Sequence, residues 1–125
     1  MPSVPGAILI LDDDADMLAS LVDFARTLSG RKCVAVGSYD DLIALAPRLA
    51  EFSVAVLDIN LGAGRPNGID AYRWLLDERF PGRIYFLTGH ARNHPLVEEA
   101  RRLGNVEIIE KPAGIGTLER AFSAA

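Results

Sequence analysis

Residues 7–14 read AILILDDD, five consecutive apolar residues that end on three carboxylates. An unbroken apolar run of that length fits a strand buried on both faces, as in a parallel sheet covered by helices. Two further runs have the same form. They are VAVL at Val54–Leu57, followed by Asp58, and IYFL at Ile84–Leu87, followed by Thr88-Gly89. Cys33–Val36 and Val106–Ile109 are weaker runs of the same kind, and the second leads into Lys111-Pro112.

Helical spacing fills the gaps between these runs. Met17, Leu18, Leu21, Val22, Ala25 and Leu28 form one apolar stripe. Leu42, Ile43, Leu45, Ala46 and Leu49 form another after Ser38, a predicted N-cap, and Pro47 should kink or shorten that helix. Ile69, Tyr72, Leu75 and Leu76 follow Asn67, with Pro81-Gly82 as the expected stop. Pro95 suits a first helical position ahead of Leu96, Val97, Ala100 and Leu103. A short last helix is expected over Gly116–Phe122.

The order is thus βαβαβαβαβα. Strands joined by helix-length crossovers imply right-handed parallel connections with helices on both faces. The expected fold class is α/β: a doubly wound, five-stranded parallel sheet in the order 2-1-3-4-5, flavodoxin-like. Met1–Gly6 reads as a short lead-in and residues 7–125 as a single domain. Such sheets bind ligands at the carboxyl ends of their strands.

Composition narrows the function. The chain has 125 residues, 50% of them hydrophobic and 24% charged, which is enough for one core and excludes a disordered chain. Thirteen Lys and Arg against 17 Asp and Glu give a net charge of −4. That charge offers no basic field for sequence-independent nucleic-acid binding. No apolar run approaches the roughly 20 residues of a membrane span, and the N-terminus lacks the features of a signal peptide. One cysteine, Cys33, cannot form an intramolecular disulfide, so a cytoplasmic location is expected.

The strand ends concentrate the chemistry. Asp12 and Asp13 close the first strand, Asp58 the third and Thr88 the fourth, and Lys111 follows the fifth. Strands 1, 3, 4 and 5 are neighbours in the expected order, about 4.8 Å apart, so these side chains should share a pocket. Three carboxylates together repel one another, and a divalent cation relieves the repulsion. Mg²⁺ suits such oxygen donors. With a lysine and a hydroxyl alongside, the set fits phosphoryl transfer to a carboxylate. Asp14 and Asp16 are read as acids at a helix N-terminus, where they complement its dipole. Trp74, Tyr72 and Phe80 are read as packing residues, Arg73, Arg79, Arg83, Arg101 and Arg102 as solvated, and Cys33 as a small buried hydrophobe.

Four features together resemble the receiver domain of two-component response regulators over nearly the whole chain. They are the acidic pair in ILILDDD, the lone Asp in VAVLDINL, the strand end IYFLTG, and EKP after the last strand. The resemblance implies that Asp58 is phosphorylated and that Asp13 binds Mg²⁺ directly, with Asp12 holding it through water. It further implies a metal ligand from Asp58 and from the backbone carbonyl of Asn60, a phosphoryl contact from Lys111, and a hydrogen bond from Thr88. A cis Lys111–Pro112 bond belongs to the same pattern. The implied function is Mg²⁺-dependent phosphoryl transfer from a phosphohistidine donor to Asp58, switching conformation for output, with self-catalysed dephosphorylation and no external substrate. Implied partners are a sensor histidine kinase or histidine phosphotransfer protein, a downstream effector protein, and a second copy in a homodimer. An effector domain in the same polypeptide is equally compatible with the resemblance.

The chain also departs from the family pattern. Gly68, which opens the third helix, falls ten positions after Asp58 where eight is typical, and Gly62 replaces a common proline. Ile108 stands where the family often has a switching aromatic, three positions before Lys111. Ala113 replaces the usual Phe, and His90, two positions past Thr88, either tunes the phosphoaspartate lifetime or is a solvent-facing loop histidine. Two alternatives remain. A degenerate receiver would act as a phosphorylation-independent interaction domain, as the altered loop and Ile108 would suit. A haloacid-dehalogenase-like aspartyl phosphohydrolase would need a second acid where Asn60 stands, and a cap domain.

Overall fold

The computed structural model describes residues 6–59, 67–88, 95–103 and 106–110, with backbone alone at Leu28 and Glu110. Five strands, β1 (Ala7–Leu11), β2 (Cys33–Val36), β3 (Phe52–Asp58), β4 (Arg83–Thr88) and β5 (Glu107–Glu110), form one parallel sheet. Their order is β2-β1-β3-β4-β5, as the sequence predicts. Helices α1 (Ala15–Ser29), α2 (Tyr39–Ile43), α3 (Gly68–Asp77) and α4 (Pro95–Arg102) form the crossovers. The expected Gly116–Phe122 helix lies outside the described residues.

Alternation along the strands splits the core into two layers. Ile8, Ile10, Val54, Val56, Tyr85, Leu87 and Ile109 face α1, where Leu21 and Ala25 are buried. Leu9, Leu11, Ala55, Leu57, Ile84 and Phe86 face the other way, onto Leu42, Ile69, Leu75, Val97 and Ala100. Both faces are covered, which is why β1, β3 and β4 carry continuous apolar runs. On the second face the Tyr72 and Phe86 rings meet at 5.7 Å, tilted by 50°.

Caps fix the helix starts. Ser38 accepts from the Asp41 amide, and α2 then gives way after Ile43 to a 3₁₀ helix, Ala46–Glu51, with Pro47 in its first turn. The kink expected at Pro47 is therefore a change of helix type. Asn67 accepts from the amides of Ile69 and Asp70, and Asp70 accepts from the Asn67 amide in return, a full capping box.

The end of α3 differs from the sequence expectation. The helix stops at Asp77, ahead of Pro81-Gly82, because Arg79 takes a left-handed conformation with φ 58°. The Phe80 amide then donates to the Leu75 carbonyl and the Arg79 amide to that of Leu76, at 2.9 and 3.0 Å. Leu75 and Phe80 are both buried in one cluster, completing a Schellman motif. Here a non-glycine residue bears the left-handed strain. Arg79→Gly should therefore stabilise the protein by about 0.5–1 kcal/mol, read as a higher urea midpoint. An unchanged or lower midpoint would contradict this account.

Cys33 is half-buried on β2 and packs against the α1-facing layer, as expected of a small hydrophobe. Burial pushes its thiol up to about 11 from 9.0, partly opposed by the Arg26 charge. At pH 8 the thiolate fraction, and with it the alkylation rate, should be roughly 100-fold below that of the urea-unfolded chain. Because the folded state holds the proton more tightly, this contribution to stability is present below pH 9 and is lost as pH rises towards 11. Equal alkylation rates in the folded and unfolded chains would refute the burial effect.

Candidate functional site

Sheet register assembles the site. Leu11 pairs with Leu57, so the next residues, Asp12 and Asp58, come side by side at the carboxyl ends of β1 and β3. Asp58 pairs with Leu87, which places Thr88 one step beyond it on β4, and Thr88 pairs with Glu110. Asp12, Asp58 and Thr88 are 1%, 7% and 1% exposed, the three buried polar or charged side chains among the described residues. Asp13 is exposed. One carboxylate oxygen from each of Asp12, Asp13 and Asp58 lies within 4.8 Å of the others.

Local backbone geometry holds these acids. The Asp12 amide donates to the Val36 carbonyl at 3.1 Å, continuing the sheet past Leu11. The Asp14 amide then turns back to donate to Asp12 Oδ1 at 2.9 Å. Asp14 itself caps α1, accepting from the amides of Asp16 and Met17 at 2.9 and 3.1 Å. The DDD run thus divides its labour: a buried carboxylate held by its own turn, an exposed one, and a helix cap. The place of Asp14 at a helix N-terminus was legible in the sequence. Its amide fixing the Asp12 carboxylate was not, although an Asp with an amide two residues on is the usual signal for such a turn.

Asp58 is held from several sides. The Ile59 amide donates to the Leu87 carbonyl at 3.2 Å, extending β3–β4 pairing one residue past the acid. The Gly68 amide donates to the Ile59 carbonyl at 2.7 Å, bringing the start of α3 against the strand end. Among the described residues no buried side-chain nitrogen or oxygen lacks a partner.

The predicted site residues Lys111 and Asn60 lie outside the described residues, as do His90, Gly62, Ala113 and the Lys111–Pro112 bond. Ile108 is half-buried and packs against the layer that contains Val97 and Ala100 of α4. A cleft of about 610 Å³, lined by Tyr72, Leu76, Arg83, Ile84, Val106 and Glu107 among others, opens at the amino ends of β4 and β5. It lies at the opposite end of the strands from the acids and is a separate feature.

The donor set fits a hard divalent cation. Three carboxylate oxygens gather at one point, and the exposure of Asp13 leaves room for the waters and phosphate oxygens that Mg²⁺ retains. Comparison with known proteins agrees with this geometry. The response regulator receiver domain matches residues 8–123. The chain belongs to that family. Receiver domains are signalling modules that bind Mg²⁺ in an acidic pocket, and this receiver domain carries its acids at the corresponding strand ends.

This receiver domain is 32% identical over 107 residues to the transcriptional regulatory protein FixJ of Bradyrhizobium diazoefficiens. The match covers 86% of this chain and 50% of that protein, so the chain spans about half the length of its relative. A structure of full-length FixJ from B. japonicum superposes with a TM-score of 0.76 at 28% identity, over 95% of this chain and 58% of that one. A response regulator receiver domain from Clostridium thermocellum gives 0.80 at 20% identity, over 94% and 90%. At that identity it speaks for the fold alone.

Proposed function

We propose that this receiver domain accepts a phosphoryl group on Asp58 from a phosphohistidine of a sensor kinase or phosphotransfer protein. The observation that carries the reading is the convergence of Asp12, Asp13 and Asp58 beside the buried Thr88 hydroxyl. An Asp58 carboxylate oxygen attacks phosphorus, the P–N bond to the donor imidazole breaks, and that ring nitrogen leaves with the electron pair and takes up a proton. The product is an aspartyl phosphate, an acyl phosphate that water later hydrolyses to return Asp58 and inorganic phosphate.

Asp12, Asp13, Asp58 and the Asn60 carbonyl would hold Mg²⁺, which when bound neutralises charge on the phosphoryl oxygens. Thr88 donates a hydrogen bond to the phosphoryl group, and Lys111 supplies a fixed positive charge. Output follows because the new charge is recognised by Thr88 and Lys111 in one of two loop arrangements and biases the equilibrium between them. The domain works on itself and turns over no metabolic substrate. We assign residues 7–125 to this one domain, acting in the cytoplasm on an effector protein, either alone or as a homodimer. Among the described residues no helix is long and apolar enough to cross a membrane.

The test is intact mass spectrometry after incubation with Mg²⁺ and acetyl phosphate, in which the phosphoryl P–O bond breaks and acetate leaves. A single adduct that requires Mg²⁺ supports the reading. No adduct with either acetyl phosphate or a phosphohistidine donor favours an interaction domain that works without phosphorylation. That second reading rests on Ile108, an aliphatic residue packed against the layer that holds α4, where a switching aromatic would stand.

A further inference from the structure

Three glycines press on β3, and they do so at its two ends. A Cβ on Gly6 would lie 2.9 Å from both the amide nitrogen and the Cβ of Ser53. One on Gly82 would overlap the carbonyl group of Ser53. Gly6 immediately precedes β1 and Gly82 immediately precedes β4, the two strands flanking β3, so both contacts sit at the amino end of the sheet. The third glycine is Gly68. A Cβ there would fall 2.8 Å from the Ile59 Cα and 2.9 Å from the Asp58 carbonyl carbon, and closer still to the Asp58 carbonyl oxygen.

All three of those neighbours are backbone, so no side-chain rotation relieves the overlap. The strand cannot yield easily either. Asp58 is paired with β4, Ile59 donates to Leu87, and Leu57 is paired with Leu11. Nor can α3 step back without loss. Its first turn is fixed by the Asn67–Asp70 capping box, and Ile69, Ala71, Tyr72 and Leu75 are buried behind it.

We infer that Gly68 is a positioning residue for Asp58. Its missing side chain lets the first turn of α3 seat directly on the peptide of Asp58, with the Gly68 amide bonded to the Ile59 carbonyl, and this contact sets where the Asp58 carboxylate points. The inference rests on Asp58 being the phosphoacceptor. Its consequence is that the closing contact is kept at the strand end although nine residues, 59–67, separate Asp58 from Gly68.

The experiment compares Gly68→Ala with Gly82→Ala, an equally tight backbone contact at the far end of the same strand. The full chain is phosphorylated with acetyl phosphate at saturating Mg²⁺, and rates are corrected for the folded fraction measured by circular dichroism. Displacing a nucleophile by about an ångström costs roughly 100-fold in rate. Gly68→Ala should therefore lose about that much, while Gly82→Ala stays within threefold of wild type although it too loses stability. Asn67→Ala, which weakens the α3 cap without adding a Cβ at position 68, should also stay within threefold.

A Gly68→Ala rate within threefold of wild type overturns the inference. So does a matching loss in Asn67→Ala or Gly82→Ala, because the effect then follows stability and not position. Failure of Gly68→Ala to fold while Asn67→Ala folds and keeps its rate also counts against it, since the contact would then be a requirement of the fold. A wild-type chain that takes no phosphoryl group is a different failure, that of the functional reading itself.

Discussion

Asp58→Asn should take up no phosphoryl group under conditions that label the wild-type chain to one per molecule. The substitution nearly preserves volume, so the 7% exposure of the site and the pairing of Asp58 with Leu87 should survive it. What it removes is the proposed nucleophile. The carboxylate offers a charged oxygen lone pair, whereas the amide oxygen is neutral and gives an unstable adduct. Asp12 and Asp13 remain in the variant and lie within 4.8 Å of position 58, so the experiment also asks whether a neighbouring acid can substitute. It should not, because Asp12 Oδ1 is engaged by the Asp14 amide and Asp13 faces solvent. Intact mass separates adduct from no adduct, and peptide mapping after borohydride reduction locates the wild-type site. A stoichiometric adduct on the variant would remove Asp58 from its assigned role.

The second large effect concerns the cation. Two charges 4.8 Å apart at an effective dielectric of about 20 repel by roughly 3–4 kcal/mol, and the Asp12–Asp58 pair is buried at no more than that distance. Part of this cost is offset by the Asp14 amide that donates to Asp12 Oδ1. Mg²⁺ at twentyfold above its dissociation constant should contribute about 1.8 kcal/mol, worth roughly 5–8 °C in the melting midpoint of a domain this size. Asp13→Asn should lose nearly all of that rise. In EDTA it should melt at or above the wild-type midpoint, because one of three mutually repelling charges has gone. Asp13 is exposed, so the gain in EDTA is small and the lost response to Mg²⁺ is the larger signal. Differential scanning calorimetry with and without Mg²⁺ measures both. A variant that keeps the wild-type Mg²⁺ response would take Asp13 out of the metal site, and one that melts well below wild type in EDTA would show that its charge is structural.

The order of elements was legible because each element writes its own period locally. AILIL, VAVL and IYFL fitted strands buried on both faces, and the stripes beginning at Met17, Ile69 and Leu96 fitted helices packed against them. Ser38 was identified as a cap, and Asn67 as the residue ahead of α3, from residue type and position alone, since capping involves bonds that span three residues. The acids were legible too, as charges that terminate apolar runs. Other features depended on partners distant in the chain. The Leu11–Leu57 register, which brings Asp12 beside Asp58, is a choice among alignments that the pattern permits equally. The early stop of α3 followed from Leu75 and Phe80 being buried together, a gain that outweighs the cost of Arg79 at positive φ. Gly68 was legible as the residue that opens α3, and nothing local marked it as the residue on which Asp58 rests. That contact joins two backbones ten residues apart in sequence and exists only once the sheet and the helix have docked. Sequence alone determined which residues stand at the strand ends, because hydrophobic period and capping act over a few residues. Tertiary structure decided how close they stand, because backbone approach is set by everything packed behind them.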